Sequence, residues 1–362
     1  MKKTGLKFFL ALILLILFVF ILDYISPIKI VKIEQTKKTD IDLPEELNSY
    51  FVSYDIYTSF SKFSTADKLD VLKSMEKNNL SISMITDCTK ESQSLENIYK
   101  NKILLSKCFV KDGLINFSDF TVVPFGKKVD ELKQNQCKEV LNLTKSLNFS
   151  IVDFPKILKF FLWYPFNKEK AYQNLKNVAQ LDEAISDFNP QKTTCILGGV
   201  GAYSRFKIAD INGKSLMLDF NYLLGMVKNK IYTYDLLSIN PEKNKELIFN
   251  ALKNGNNIIY LTDKDLNVDI FVRGITKNFL VGSIVDLTEK PVINLKVNGK
   301  NIYTSVLLNG KVMKNYSPGN LKISPKNSSS YTFVVYRYKI KLPFNILLGV
   351  YPVAITNSIY FQ

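Results

Sequence analysis

The pattern of apolar and polar positions divides the chain into three parts. Residues 8–22 form one unbroken apolar run. From about residue 51 to residue 262, short apolar runs alternate with segments of helical period, which is typical of βα units around a parallel sheet or barrel. After that point the helical period disappears and apolar positions alternate, which predicts antiparallel strands. The pattern therefore predicts an α/β part followed by a β part.

The apolar run near the N-terminus predicts a membrane anchor. As a helix, its fifteen residues span about 22 Å, and Lys7 and Asp23 can extend towards the headgroups of a bilayer whose core is roughly 30 Å thick. No small-x-small cleavage site follows the run. An uncleaved signal anchor is therefore favoured over a cleaved signal peptide, whose length the run also fits. Lysines before the run place the N-terminus inside, so we expect a single-pass protein of the cytoplasmic (inner) membrane with the bulk of the chain extracytoplasmic.

The domain borders follow from these changes of pattern. They predict a signal anchor over 1–27, a tether over 28–48 with a short strand at 28–33, a barrel over 49–262 and a β-sandwich over 263–362. Helices are predicted after a cap at Ser64 or Thr65, with Leu69, Leu72 and Met75 on one face, and over 130–147, 171–181 and 246–252. Strands are predicted at 80–86, 120–124, 149–152, 194–197 and 258–261. Asn298-Gly299 and Asn309-Gly310 predict hairpins.

Composition narrows the classes of function. The net charge is +15, but the basic residues are mostly scattered lysines and do not form the Arg-rich cluster with aromatic platforms that favours nucleic acid. We therefore expect no nucleic-acid partner. The chain has no His, which excludes His-ligated zinc sites and the Ser-His-Asp and Cys-His catalytic arrangements. Carboxylates can still hold a hard cation such as Mg²⁺ or Ca²⁺.

Motifs at both ends of the region 50–362 resemble one family. The segment 54–88 resembles the opening of the PHP (polymerase and histidinol phosphatase) domain, in which one strand carries His-x-His and the next ends in Thr-Asp-His. Leu307-Leu308-Asn309-Gly310-Lys311, Tyr336-Arg337-Tyr338 and Thr356-Asn357-Ser358-Ile359-Tyr360 resemble the closing β-domain of CehA/McbA-type PHP proteins. The resemblance implies an α/β fold, with a PHP-like (β/α)7-type distorted TIM-like barrel followed by a C-terminal antiparallel β-sandwich.

In that family two or three divalent ions activate a water for hydrolysis, and the matching positions of this chain have lost most of the ligands. Asp87 is kept, whereas Asp55, Tyr57, Cys88, Lys127, Phe154, Ser186, Gly201 and Tyr203 stand where ligands are expected. The remnant site predicted from the resemblance consists of Asp55, Tyr57, Asp87, Cys88, Lys127, Asp153 and Tyr203. A lysine beside cations and a phenylalanine without a lone pair do not suit a multinuclear metal centre.

These replacements predict a membrane-anchored PHP-like pseudoenzyme, a non-catalytic binding or scaffolding protein with no cofactor and no catalytic residue. The expected partners are the membrane, through the N-terminal helix, and a protein or an anionic ligand. One alternative is a metal-dependent phosphoesterase-type hydrolase with a weakly bound divalent cation on Asp55, Asp87 and Asp153. A second alternative is a receptor for an anionic ligand that binds Lys127.

Several single residues keep two interpretations. Asp87 is either a residual ligand or a strand-end Asp that accepts hydrogen bonds from backbone amides. Tyr57 and Tyr203 either grip a ligand or fill the space left by metals and imidazoles, and filling is favoured. Cys88 is favoured as an inert buried thiol over a nucleophile, because no base is evident. The stretch 157–165, with the only Trp, is either a core or lid segment, which is favoured, or an exposed membrane- or partner-binding loop.

The four cysteines also leave alternatives. Cys88, Cys108, Cys137 and Cys195 allow three pairings in an exported domain, and Cys108–Cys137 is preferred because the other two lie on or beside the sheet. The second possibility is that all four are reduced core residues.

Overall fold

The structure is a computed structural model, and it describes residues 28–36, 41–61, 64, 66–99, 101–118, 120–127, 136–142, 154–168, 171, 195–202, 207–211, 214–217, 220–261 and 265–362, with five single positions between 10 and 21. The helices in these ranges are α1 (Lys68–Lys77), α2 (Phe154–Trp163), α3 (Phe220–Leu223) and α4 (Pro241–Lys253). The predicted strand at 149–152, nearly all of the predicted helix at 171–181, and two predicted site residues, Asp153 and Tyr203, lie outside the described residues.

Strands make up most of the regular structure. In chain order they are β1 (Ile28–Ile30), β2 (Ile33–Glu34), β3 (Asn48–Ile56), β4 (Ile82–Ile85), β5 (Asn97–Tyr99), β6 (Lys102–Leu105), β7 (Phe109–Lys111), β8 (Leu114–Phe117), β9 (Phe120–Val123), β10 (Gln136–Asn142), β11 (Ile196–Gly199), β12 (Lys207–Ile211), β13 (Lys214–Met217), β14 (Val227–Thr233), β15 (Asn257–Leu261), β16 (Asn267–Arg273), β17 (Asn278–Phe279), β18 (Ile284–Val285), β19 (Val292–Asn298), β20 (Ile302–Leu308), β21 (Lys311–Tyr316), β22 (Gly319–Ile323), β23 (Ser329–Arg337), β24 (Ile340–Leu342), β25 (Ile346–Leu348), β26 (Tyr351–Thr356) and β27 (Ile359–Phe361).

The strands form several sheets. The largest runs in the order β2-β21-β20-β23-β26-β15-β14-β3-β4-β6-β5, with β27 and β18 attached beside β23. A second sheet has the order β11-β10-β9-β8-β7, a third β17-β16-β19-β22, and a fourth β1-β25-β24, while β12 and β13 form a pair. Parallel pairing occurs where β3, β4 and β6 lie side by side and where β9, β10 and β11 do.

The predicted α/β TIM-like barrel is wrong. The described strands close into no barrel, because β3 pairs antiparallel with β14 and the outer strands β5 and β7 belong to antiparallel hairpins. One cause is the misassigned period of the segment 130–147. Its described part, 136–142, is a strand buried along most of its length and not a helix. A strand covered on both faces loses the alternation that would identify it.

The C-terminal strands continue the large sheet and do not stand apart from it. Strand β26 pairs with β15, so hydrogen bonds cross the predicted domain border at residue 262. The sheet containing β16 and β19 shares a hydrophobic core with β20, β23 and β26. Asn309-Gly310 forms the predicted turn between β20 and β21, with φ of 50° and 79°. The hairpin predicted at Asn298-Gly299 is wrong, because β19 and β20 belong to different sheets.

Two helices follow their sequence signals closely. Helix α1 begins after Asp67 and has a reciprocal capping box between Asp67 and Asp70, so the predicted cap at Ser64 or Thr65 is wrong by a few residues. Leu72 and Met75 are buried as predicted, whereas Leu69 is 54% exposed. Helix α4 contains the predicted segment 246–252. It begins after the Asn240 cap with proline at its first position.

The predicted transmembrane anchor is not supported. Among the helices of the described residues, none has both the length and the apolar character needed to cross a membrane. The signal anchor predicted over 1–27 lies almost entirely outside the described residues, and the single-pass inner-membrane location that depends on it is not supported.

Candidate functional site

The carboxyl ends of β3, β4, β10 and β11 meet where the two parallel groups of strands touch. Asp55 lies at this junction, in a bulge of β3 with φ of 64°, a conformation that is uncommon for a residue with a side chain. Its backbone oxygen accepts a hydrogen bond from Ala202 N at 3.0 Å, and Tyr54 O accepts one from Val200 N at 2.9 Å. The bulge therefore lets the end of β3 pair with the chain that leaves β11.

The Asp55 carboxylate is fully buried and is held from two neighbouring strands. Its Oδ1 accepts a hydrogen bond from Thr86 Oγ1 at 3.0 Å. Its Oδ2 accepts one from Asn142 Nδ2 at 2.6 Å. Asp55, Thr86 and Asn142 are all buried, so these bonds are shielded from water.

Glu139 is a second buried acid at the same junction. Its Oε1 accepts a hydrogen bond from Asn142 Nδ2 at 2.8 Å, and its Oε2 accepts one from Phe125 N at 2.9 Å. A Cβ at Gly199 would lie 1.8 Å from Oε1, so only glycine leaves room for this carboxylate. One amide nitrogen thus bridges two acidic side chains. We call Asp55, Thr86, Glu139 and Asn142 the buried acid cluster.

Sequence reasoning missed Glu139 and Asn142, because residues 136–142 were predicted to be helical. The two residues lie three apart on a strand whose register shifts between Glu139 and Leu141, and this bulge brings both side chains to one place. The sequence signal was the pair of polar residues Glu139 and Asn142 on either side of Val140 and Leu141, which a helical interpretation places on a solvent face.

Tyr54 lies beside the cluster. Its ring packs against Phe117 with centroids 6.5 Å apart, and its buried hydroxyl has no hydrogen-bond partner among the described residues. Burial, together with the negative charges of Glu139 and Asp55, raises the pKa of this phenol well above 10.0. The hydroxyl is therefore a neutral, unsatisfied polar group in the core.

Asp87 follows β4 and bonds the loop after β3. Both of its carboxylate oxygens lie 3.0 Å from Thr58 N, and Thr58 Oγ1 donates to Oδ2 as well. Burial raises the pKa of Asp87 above its usual value, while the hydrogen bonds from Thr58 act in the opposite direction. Asp87 thus holds a backbone amide, which agrees with its interpretation as a structural Asp at a strand end.

All four cysteines are paired, and the pairing differs from the predicted one. Cys88 is bonded to Cys108, and Cys137 to Cys195, with Cα atoms 4.8 and 4.6 Å apart. The predicted Cys108–Cys137 pair is wrong, as is the alternative with four reduced cysteines. Cys88 has no free thiol, so it serves neither as the nucleophile nor as the inert thiol considered for it.

Two other predicted site residues also make structural bonds. Tyr57 is half-buried, and its backbone N donates to Ala202 O at 3.1 Å. Lys127 Nζ donates to Asp112 O, in the turn between β7 and β8. Lys127 therefore bonds an exposed carbonyl group at a hairpin turn.

The paired glycines after Leu197 serve close packing. Asn229 Oδ1 accepts from Gly198 N at 2.9 Å, and its Nδ2 donates to Gly198 O at 2.8 Å. A Cβ at Gly198 would lie 2.6 Å from Ile259 and 2.7 Å from Val227. The glycines thus allow β11 to approach β14 and β15, and the Asn229 side chain satisfies the backbone of β11.

The aromatic stretch 157–165 lies mainly in helix α2. Phe160 is 1% exposed and packs against Tyr164, with ring centroids 5.1 Å apart. Trp163 on the same helix is 38% exposed, and Phe166 beyond its end is 84% exposed. The segment therefore has one buried side and one side open to solvent.

The donor set does not fit the multinuclear metal centre that the family resemblance implies. Within the described ranges, no three His, Cys, Asp or Glu side chains are grouped so as to hold a metal ion. Both oxygens of Asp55 accept from uncharged donors, and the amide group of Asn142 directs its hydrogens towards the carboxylates. A cation placed between the carboxylates of Asp55 and Glu139 would meet the hydrogens of the Asn142 amide that already bonds both.

No protein-family model matches the chain, and comparison with curated proteins and with solved structures gives no match. The PHP resemblance therefore stays a prediction from the sequence motifs.

Proposed function

We propose that this chain is a non-catalytic binding or scaffolding protein. One observation carries the proposal. The Asp55 carboxylate, at the strand end where the resemblance expects metal ligands, is 0% exposed and bonded through both oxygens to Thr86 and Asn142. A carboxylate enclosed in this way is a structural group, because neither a substrate nor a water reaches it without breaking the cluster.

The neighbouring reactive side chains support the same proposal. Asp87 bonds the backbone of Thr58, and Cys88 forms a disulfide with Cys108. Buried polar networks whose members are satisfied stiffen a core and fix its arrangement. Such a network at a junction of sheets suits a scaffold protein that binds its partners through other surfaces.

Among the described residues, which do not include Asp153, no contact supports either alternative. The phosphoesterase-type hydrolase needs Asp55 and Asp87 to share a cation, yet each carboxylate accepts hydrogen bonds from different protein donors. The alternative of a receptor for an anionic ligand relies on Lys127 to bind the anion. The ammonium group of Lys127 instead bonds the Asp112 carbonyl oxygen.

The test measures metal content and hydrolysis together. The purified chain is incubated with Mn²⁺, Mg²⁺ or Zn²⁺, dialysed and analysed by mass spectrometry, and turnover of p-nitrophenyl phosphate and bis(p-nitrophenyl) phosphate is followed. Asp87→Ala is the test variant and Asp235→Ala, at an exposed position, is its matched control.

The proposal predicts no stoichiometric metal and no turnover above buffer in the parent chain or in either variant. One metal per chain, with turnover that Asp87→Ala abolishes and Asp235→Ala keeps, would contradict the proposal.

A further inference from the structure

The small sheet β1-β25-β24 has an outer face made entirely of aliphatic side chains. Its register aligns Ile28 with Leu348 and Ile340, and Ile30 with Ile346 and Leu342. Because side chains alternate along a strand, these two rows share one face, while Leu347 between them is fully buried in the core. We call the six residues the aliphatic face; they are Ile28, Ile30, Ile340, Leu342, Ile346 and Leu348.

This face is open to solvent at its edges. Ile30 is 78% exposed, Ile28 56% and Leu342 40%. Phe344, in the turn that joins β24 to β25, is 89% exposed and has φ of 61°, so the turn projects an aromatic ring outwards. A contiguous exposed apolar surface of this kind marks an interaction site, whereas an ordinary protein surface carries apolar residues singly.

The part of the chain that carries most of this face is strongly basic. From Lys290 to Gln362 there are ten Lys or Arg residues and no Asp or Glu. Lys32, two residues after Ile30, is exposed, and so is Lys341, which aligns with Leu347 on the opposite side of the sheet from the aliphatic face. Lys29 places its ammonium group 4.5 Å from the centre of the Tyr336 ring. An apolar face in a basic region calls for a partner that is apolar inside and negatively charged at its boundary.

We infer that the aliphatic face docks onto the surface of a lipid bilayer that contains anionic headgroups. The aliphatic side chains and Phe344 enter the headgroup–acyl boundary, and Lys32, two residues after Ile30, lies near the phosphates. Such peripheral contact requires no helix that crosses the bilayer. A bilayer is favoured over a second copy of the chain, because self-association would bring two basic regions without acidic residues together. The inference holds whether or not the buried acid cluster is catalytic.

The experiment is vesicle co-sedimentation of the full chain with phosphatidylcholine alone and with added phosphatidylserine. The test variants are Ile30→Asp and Phe344→Asp, and the matched control is Ile239→Asp, which changes an equally apolar residue that is 94% exposed elsewhere. We expect binding that requires phosphatidylserine and weakens with salt. Each test variant should lower the partition by about tenfold, as the loss of one buried apolar side chain implies, and the control should keep it.

A second readout reports on position 344 directly. Trp163 is the only tryptophan, so the double variant Trp163→Phe with Phe344→Trp carries a single fluorophore on the turn. Its emission should shift to shorter wavelength on adding anionic vesicles, as expected for an indole that leaves water.

Three results would overturn the inference. They are unchanged partition of the test variants, an equal loss in Ile239→Asp, and an emission spectrum that vesicles do not alter. Sedimentation velocity separates the competing occupants. A dimer that Ile30→Asp dissociates would assign the face to a second copy. Faster proteolysis within residues 1–27 in that variant, without any vesicle binding by the parent chain, would assign it to the chain's own N-terminal segment.

Discussion

Asn142 Nδ2 lies 2.6 Å from Asp55 Oδ2, so a single hydrogen bond joins the end of β10 to the bulge that ends β3. The same nitrogen lies 2.8 Å from Glu139 Oε1. This amide group thus satisfies two buried acids and connects the two groups of parallel strands. Because the buried acid cluster is a structural element, changes to its members should alter the stability of the folded chain.

Removing the Asn142 amide should destabilise the chain strongly. Asn142→Ala takes a donor from both buried carboxylates, and the expected loss is about 2–3 kcal/mol of the free energy of unfolding. Urea unfolding followed by circular dichroism measures it. Asn116→Ala is the control, because Asn116 is half-buried and bonds the carbonyls of Phe109 and Leu114 within its own hairpin. Equal losses in the two variants would contradict a special role for Asn142.

Tyr54→Phe should stabilise the chain. It removes a buried hydroxyl for which the described part of the chain offers no hydrogen-bond partner, and we expect a gain of about 1 kcal/mol. Tyr260→Phe is the matched control, because Tyr260 OH donates to Val268 O and accepts from Val268 N, both at 2.8 Å. That variant should lose about 1–3 kcal/mol. A Tyr54→Phe variant that unfolds at lower urea than the parent would show that the hydroxyl is bonded in solution.

The sequence predicted local features well and the arrangement of the sheets poorly. The Asn309-Gly310 turn and helix α4 were predictable because the signals lie within a few residues of each other. The antiparallel neighbour of β3 was not predictable, since the paired residues Val52 and Asn229 are 177 positions apart and no local pattern identifies a strand's neighbour. The local pattern of parallel strands therefore led to the prediction of a barrel, which the described strands do not form.

The candidate site was half predictable. Asp55 and Asp87 were included because the segment 54–88 resembles the opening of the PHP domain. Glu139 and Asn142 were missed, since the buried strand β10 shows no alternation and its apolar spacing fits a helix. The cysteine pairing could not be derived either, because three connectivities suit four cysteines and only the strand order selects one.

The two disulfides should differ in what they contribute. Cys137 and Cys195 are 58 residues apart and Cys88 and Cys108 are 20 apart. Loop closure in the unfolded chain predicts a loss of about 4 kcal/mol when the first is replaced by two alanines and about 3 kcal/mol for the second. Urea unfolding of both double variants measures the difference. The reverse order would mean that native contacts, and not the unfolded chain, determine the effect.

Asp87 should make stability depend on pH. Its pKa in the folded state is raised above 3.8, so the folded chain keeps a proton that the unfolded chain has already released. The contribution of Asp87 to the free energy of unfolding is therefore most favourable at low pH, and it declines as pH rises through the folded pKa. Asp87→Asn should gain stability relative to the parent as pH rises above the ordinary pKa of an aspartate, 3.8. A gap that narrows with pH would show that the Thr58 hydrogen bonds outweigh burial.

The most direct test of a structural role for Asp55 is the unfolding temperature of the parent chain and of Asp55→Asn with and without Mn²⁺ or Mg²⁺. A cation held at 100 times its Kd would stabilise the folded chain by about 2.7 kcal/mol, a shift that calorimetry detects easily. Because the Asp55 carboxylate is enclosed by Thr86 and Asn142, we predict no saturable shift in either protein. A saturable rise in the parent that disappears in Asp55→Asn would contradict the structural role and show a working cation site at the end of β3.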